Sequence, residues 1–549
     1  MSIFEGSVKI TGADEIARYG LRKKSVHLGR PLRLVLISDS HVTRFGGHFN
    51  KNIFVDGLKA ISKIKNVDYI IHLGDITDKG VVDDYELLNE LLDKHINPET
   101  REKIYFVPGN HDSKNLGYQL FEEYLHPKRD FTLELGNDSV ILGLDSTKPD
   151  ENIGEIGARA IDILDKELDN YQELKMVCFH HQLVPIPRTG RERSAIIDAG
   201  NILKLLLDEN VNLVLNGHRH ITNLYSITDG KDELLVFNVG TFSSTKTRYK
   251  QLWTYTILDI NNEHVEFKVK CIKQRNDSLE FMRPFVRYKE VKEPDGELIA
   301  KIVHLANTGF TANNDHDNKS WEQACDIINS LESDLVVHAG SLVDSSYKED
   351  FKYAASLLGD INQPLITIPG LSEMHYPKSK LYYTKYIGAL DPVFTNDQLH
   401  IIGINTCKQQ TKTGEIGRKR MDDVLDAVNQ CQNGELLGVV LHHDIIPSPN
   451  ERWEYTLADS GEALGKFANS GVKFVLSGGS YANWSVQVEN AVFSSTSSVS
   501  NKKCLLYSFR NSFNFLETYT DGTMKISEYL IQDRKWRHRR MFKVPLSHP

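Results

Sequence analysis

The chain has 549 residues, 40% of them hydrophobic and 25% charged, with a formal net charge of −9 at pH 7 and a mean hydropathy of −0.37. That length exceeds one ordinary core and suits two large ones, no apolar run is long enough to span a bilayer, and the acidic balance gives no general attraction to a phosphate backbone. Six cysteines lie far apart without a C-x-x-C, against a disulfide framework or zinc–thiolate site, and Met1 to Arg30 lacks the apolar core of a secretory signal, so a cytoplasmic protein is expected.

The first strand is expected at residues 34–37, an apolar, branched run of the kind buried on both faces of a sheet, and it ends in Ser38-Asp39-Ser40-His41. Phe54, Leu58, Ile61 and Ile64 then recur at helical spacing before a second strand at 68–73, which runs into Gly74-Asp75-Ile76-Thr77-Asp78. A helix around Tyr85 to Leu92 leads to a third strand at 103–107, followed by Pro108-Gly109-Asn110-His111-Asp112. Strand and helix in alternation predict a parallel βαβ sheet, whose ligands gather at the carboxyl ends of the strands. Strands at 140–144, 175–179 and 211–215 deliver Asp145, His180-His181 and Asn216-Gly217-His218-Arg219-His220 to further strand ends. Single motifs of this kind are ordinary turn compositions. Their accumulation points to a metal held by carboxylate, imidazole and amide oxygen.

The ordered series Asp39-x-His41, Gly74-Asp75-x-x-Asp78, Gly109-Asn110-His111-Asp112, His180 and Gly217-His218-x-His220 resembles the calcineurin-like metallophosphoesterases. The resemblance implies an α/β fold, an αββα sandwich, with a binuclear metal centre. Asp39, His41 and His220 would bind one metal, Asn110, His180 and His218 the other, and Asp75 would bridge them. His181 competes with His180; the family motif places the ligand first in such a pair, which favours His180. Mn or Fe is implied, with Zn, Co or Ni compatible. Two cations about 3.5–4 Å apart clamp a phosphoryl oxygen and activate a bridging water, so that hydroxide attacks phosphorus. His111, similar to the family's non-ligand histidine, is expected to protonate the leaving group, with Asp78 orienting and charging it. Arg44, His48 and Arg219 are candidate substrate contacts, weighed against plain solvated loop charge.

The second half repeats the first. Strands at 301–305, 335–339, 365–368, 439–441 and 474–476 match those above, and Gly414-Glu415-Ile416-Gly417 repeats Gly154-Glu155-Ile156-Gly157 letter for letter. The ligands are lost: Asn307, Gly309, Ser341, Leu371, Gly479 and Tyr481 stand where the first half has Asp39, His41, Asp75, Asn110, His218 and His220, and only His442 survives opposite His180. The expected organisation is an N-terminal extension (1–30), an active metallophosphoesterase domain (31–286), a charged linker (287–297) and a degenerate copy (298–549) that binds no binuclear centre. The basic run Arg534-Lys535-Trp536-Arg537-His538-Arg539-Arg540 reads as a solvated strand face or tail before it reads as a polyanion site.

Because the series is similar to that of soluble cyclic-nucleotide phosphodiesterases, the expected activity is hydrolysis of a cyclic nucleotide or other small phosphodiester, the partner being that substrate, with no membrane and nucleic acid not favoured. The alternatives are a nuclease acting on DNA or RNA, which needs a basic groove with aromatics, a phosphomonoesterase, or a binding or scaffold protein with residual activity.

Overall fold

The computed structural model describes residues 22–190, 195–249, 251–274, 278–287, 293–313, 316–431, 434–450, 456–501 and 510–546. These fall into two compact units, the first running to 287 without 190 and 228–230, the second from 293 onward.

In the first unit, β1 (Leu32–Ile37), β2 (Tyr69–Leu73) and β3 (Ile104–Val107) are parallel and joined through α1 (Lys51–Ile61) and α2 (Val82–His95). A one-turn helix, α3 (Pro98–Arg101), precedes β3, and α4 (Gly117–Tyr124) follows it. The second sheet holds β4 (Phe131–Gly136), β5 (Ser139–Gly143), β6 (Lys175–Cys178), β7 (Leu213–Asn216), β8 (Asn223–Thr228) and β9 (Glu233–Asn238), in the order β4-β5-β6-β7-β9-β8. Between them lie α5 (Ala158–Leu168) and α6 (Ala199–Asp208). An antiparallel meander, β10 (Thr254–Ile260), β11 (His264–Cys271) and β12 (Ser278–Pro284), then returns to the first sheet, whose order is β12-β11-β10-β1-β2-β3.

The two-residue period of a strand divides the core. Leu34 and Leu36 of β1 face the second sheet with Met176, Cys178, Leu213, Leu215 and Phe237, while Val35 and Ile37 face the helices with Phe54, Leu58, Leu88 and Leu91. Both faces of β1 are therefore dry, as its unbroken apolar run requires. Helix α1 starts at Asn50, whose Oδ1 accepts from the Ile53 amide at 3.2 Å, and stops at Ile61, so Ile64 packs on the same cluster from beyond the helix end. Residues 22–30, expected as an extension, are part of this unit: Arg22–Lys23 pairs with Val286–Arg287, and Val26 is fully buried between the sheets. Residues 1–21 and the charged stretch 288–292 lie outside the described residues.

The second unit is built likewise from β13 (Leu298–Leu305), β14 (Leu335–His338), β15 (Leu365–Thr367), β16 (Val393–Thr395), β17 (Leu399–Ile404), β18 (Leu436–Leu441), β19 (Phe474–Ser477), β20 (Trp484–Val488), β21 (Ala491–Ser495), β22 (Ser512–Tyr519), β23 (Thr523–Leu530) and β24 (Lys535–Lys543). Within it the orders are β24-β23-β22-β13-β14-β15 and β16-β17-β18-β19-β21-β20, the first unit's two orders strand for strand. One apolar cluster lies between its sheets and another under its helices. The fold is α/β, a sandwich of two sheets with helices outside, present in two copies.

Candidate metal centre

Five strands of the first unit end in one place. Asp39 and His41 follow β1, Asp75 follows β2, Asn110 and His111 follow β3, His180 follows β6, and His218 and His220 follow β7. Asp39, His41, Asp75, His218 and His220 have φ of 53°, 51°, 50°, 68° and 57°. Left-handed backbone is unfavourable for residues with a Cβ and persists where the surroundings enforce it. Here those surroundings are tight: Gly74 has φ 87°, and a Cβ on it would lie 2.4 Å from His180 Nδ1.

The side chains converge in three overlapping groups, one of them His41 with Asp78 and His111. Asp39, His41, Asp75 and His220 bring their ligand atoms within 4.8 Å of one another, as do Asp75, His180 and His218. Asp75 belongs to both, its Oδ2 3.5 Å from His41 Nε2 and its Oδ1 3.3 Å from His180 Nε2. Three of the four imidazoles are oriented by an acceptor on the far side, while His218 turns its Nδ1 toward Asn110 and His180. His41 Nδ1 donates to Asp78 Oδ1 (2.9 Å), His220 Nδ1 to the Lys246 carbonyl (2.5 Å) and His180 Nδ1 to the Leu73 carbonyl (2.7 Å). A carbonyl or carboxylate only accepts, so the neutral rings carry their proton on Nδ1 and turn the bare Nε2 inward. Asn110 turns its Oδ1 toward His218 Nδ1 at 3.0 Å, because its Nδ2 donates to Asn152 Oδ1 at 3.1 Å. Asp39 Oδ2 takes bonds from Ser38 Oγ and the His218 amide, while its buried Oδ1 accepts none.

Burial alone would raise the Asp75 carboxyl, but His180, His111 and His41 around it hold it well below the usual carboxylate range. Burial disfavours charge on His180 as well, yet Asp75 and Asp39 lift it to about 9. His41 is pushed down by burial, and His218 by burial and its neighbours His181 and His180. The cluster is thus two buried carboxylates among converging imidazoles, of which His41 and His218 are held neutral and His180 keeps its proton until a cation displaces it. That donor set fits hard to borderline divalent cations.

Other expected residues are placed differently. The Asp78 carboxylate serves His41; His111 Nδ1 instead donates to the Asp78 backbone carbonyl at 2.6 Å and stands 3.7 Å from the carboxylate. The reason is reach: among the described residues Asp78 is the only acceptor at His41 Nδ1, and the carbonyl is closer to His111. Arg44 is committed to Glu90 at 2.7 Å, away from the cluster. Arg219 is buried, and His48 is half-buried with its imidazole pushed down by burial and Lys246. His181 is in none of these groups; its Nδ1 meets Ser146 Oγ at 2.9 Å.

Three residues escaped the sequence reading. Asn152 fixes the Asn110 amide. Asp112 accepts from the Ile76, Thr77 and Gly109 amides at 3.0, 2.7 and 2.9 Å, strapping the loop after β2 to the loop after β3. Lys114 donates to His111 Nε2 at 3.1 Å. Asp112 stood inside a quoted motif; nothing local singles out Asn152 or Lys114.

The second unit keeps this backbone without the ligands. Asn307, Gly309 and Ser341 have φ of 53°, 59° and 55°, matching Asp39, His41 and Asp75. Glu373 takes over from Asp112, accepting from the Val343 and Gly370 amides. His442 survives for a structural reason: its Nδ1 donates to the Ala339 carbonyl at 3.1 Å as His180 does to Leu73, and His443 Nε2 donates to the Lys412 carbonyl at 2.9 Å. A Cβ on Gly309 would lie 2.5 Å from Asn501 Nδ2, so the space of a His41 side chain is filled. Among the described residues, every three-member His/Asp cluster with metal-ligand spacing lies in the first unit. The C-terminal basic run forms β24, where Arg537, Lys535 and Lys543 pair with Glu528, Asp533 and Asp521.

Residues 32–222 match the calcineurin-like phosphoesterase family. The chain is 31% identical over 184 residues to a probable glycerophosphodiester phosphodiesterase of Arcobacter nitrofigilis, covering 30% of this chain and 64% of that protein. It is 27% identical over 192 residues to a probable cyclic nucleotide phosphodiesterase of Vesicomyosocius okutanii, covering 34% and 78%. Among solved structures, a purple acid phosphatase from yellow lupin (Lupinus luteus) seeds is similar at 10% identity and a TM-score of 0.35, over 53% of this chain and 62% of that one. A dimetal phosphatase from Danio rerio gives 12% and 0.33, over 45% and 98%. The family match runs from β1 to the loop after β7, the stretch that holds the clustered side chains.

Proposed function

We propose that the first unit is a metal-dependent phosphodiesterase acting on a small phosphodiester, a cyclic nucleotide or glycerophosphodiester being the nearest chemistry among its named relatives. The observation that carries this is Asp75, one oxygen toward His41 and the other toward His180, in the midst of inward-facing lone pairs. Asp39, His41 and His220 would hold one cation, Asn110, His180 and His218 the other, with Asp75 shared. Mn and Fe suit these mixed nitrogen and oxygen donors, and Zn, Co and Ni are compatible. Two such ions supply Lewis acidity toward a phosphoryl oxygen and a water acidified to near-neutral pH. Asp78, through His41 Nδ1, and the carbonyls of Leu73 and Lys246 fix the imidazoles so that no reorganisation is needed when substrate arrives. His111 is anchored twice, by its amide on Asp75 Oδ1 at 2.8 Å and by Nδ1 on the Asp78 carbonyl, so Nε2 gives a proton to the leaving oxygen only from the imidazolium form, with Lys114 released from it. The second unit acts as a support or regulator without metal. A cytoplasmic setting accords with the five described cysteines, all free thiols.

The test is hydrolysis of bis(p-nitrophenyl) phosphate against p-nitrophenyl phosphate by manganese-loaded protein and its Asp75→Asn variant. Diester preference that disappears with Asp75→Asn supports the reading; equal or greater monoesterase activity overturns the diester assignment.

A further inference from the structure

His111 has both ring nitrogens engaged. Nδ1 donates to the Asp78 carbonyl at 2.6 Å, so in the neutral ring Nε2 is bare, and it accepts from Lys114 Nζ at 3.1 Å. The ring stands edge-on to His41, centroids 4.5 Å apart, and its amide is held on Asp75, which places the imidazole at the rim of the ligand cluster. An ammonium has three donors, and His111 uses one. Among the described residues Lys114 has no carboxylate within ion-pair reach, whereas Arg44 is tied to Glu90 and Arg129 to Asp145. Its backbone is fixed as well. The Lys114 carbonyl accepts from the Gly117 amide at 2.8 Å, and Gly80, at φ 63°, passes so close that a Cβ there would lie 2.4 Å from that carbonyl.

An uncompensated cation with two spare donors, locked beside the histidine at the edge of the site, is built to meet an anion. The geometry points to Lys114 as a substrate-contacting residue that receives a negatively charged oxygen of the phosphoester alongside His111, a role for which the sequence also offers Arg44, His48 and Arg219. This rests on the phosphodiesterase reading.

The experiment compares full-length Lys114→Gln and Lys114→Arg with the unmodified chain, all manganese-loaded, measuring KM and kcat for bis(p-nitrophenyl) phosphate separately and the affinity for inorganic phosphate by calorimetry. Loss of one charge-assisted hydrogen bond raises KM and weakens phosphate binding by about tenfold or more in Lys114→Gln, with a smaller change in kcat, and Lys114→Arg recovers most of it. Values for Lys114→Gln within about twofold of the unmodified chain overturn the assignment, since that is far below a charge-assisted bond. An arginine variant as impaired as the glutamine variant also overturns it. If the unmodified chain cleaves no ester, the phosphodiesterase reading fails, and the phosphate titration still decides the role of Lys114.

Discussion

His41 and His220 face one another through their Nε2 atoms at 3.3 Å, while the Nδ1 of each is bound to an acceptor, Asp78 Oδ1 for the first and the Lys246 carbonyl for the second. Two bare nitrogens this close repel unless a proton or a cation lies between them. Burial disfavours the proton on His41. A divalent cation between them would bind the folded state selectively. Manganese is expected to raise the unfolding temperature of the chelator-treated protein, a ligand at 100 times its Kd contributing about 2.7 kcal/mol. Asp75→Asn should remove most of that shift in a thermal melt; a shift that survives the substitution would place the metal elsewhere.

The Asp78 carboxylate bonds His41 Nδ1, while the Asp78 carbonyl holds His111 Nδ1. Asp78→Asn should weaken metal binding by about 10–100-fold, the usual cost of losing an orienting partner of a ligating histidine. Calorimetric titration with manganese reads this directly. Unchanged affinity, with activity lost, would instead restore Asp78 to His111.

The His180 imidazole is lifted to about 9 by Asp75 and Asp39 against the pull of burial. Its folded value lies above its unfolded value, so its contribution to stability is complete below the unfolded pKa and fades as pH rises through 9. Chelator-treated protein should lose stability across that window, and manganese-loaded protein, whose His180 has no proton to lose, should not. Parallel melts across pH check this, and identical profiles would contradict it.

Asp112 and Glu373 are matched straps, each joining two loops through backbone amides. Truncating either leaves buried N–H groups unpaired, at a cost of about 2–4 kcal/mol. Asp112→Ala and Glu373→Ala are expected to destabilise in denaturant titrations to similar extents, although only the first unit carries a candidate site. A neutral Glu373→Ala would show that the second copy does not depend on its strap.

The strands and the converging side chains were legible because each strand of a doubly covered sheet is an unbroken apolar run, and each run ends abruptly in Asp, Asn or His. The duplication was legible for the same reason, since a core constrains strands whether or not ligands remain. Roles set by distant contacts were not. Asp78 lies 37 positions from His41, and Asn152 lies 42 from Asn110; no local pattern encodes such pairings. Arg44 looked free because Glu90, its partner, stands a helix away. The left-handed backbone at Asp39, His41 and Asp75 was also hidden, since only packing enforces it.

The most direct measurement is the metal content of the full chain after manganese loading and desalting, by mass spectrometry, for the unmodified protein and Asp75→Asn. Two manganese ions per chain, falling to one or none with Asp75→Asn, are predicted. A content that Asp75→Asn leaves unchanged, or a loading above two ions that includes the second unit, would contradict a single Asp75-bridged centre in the first.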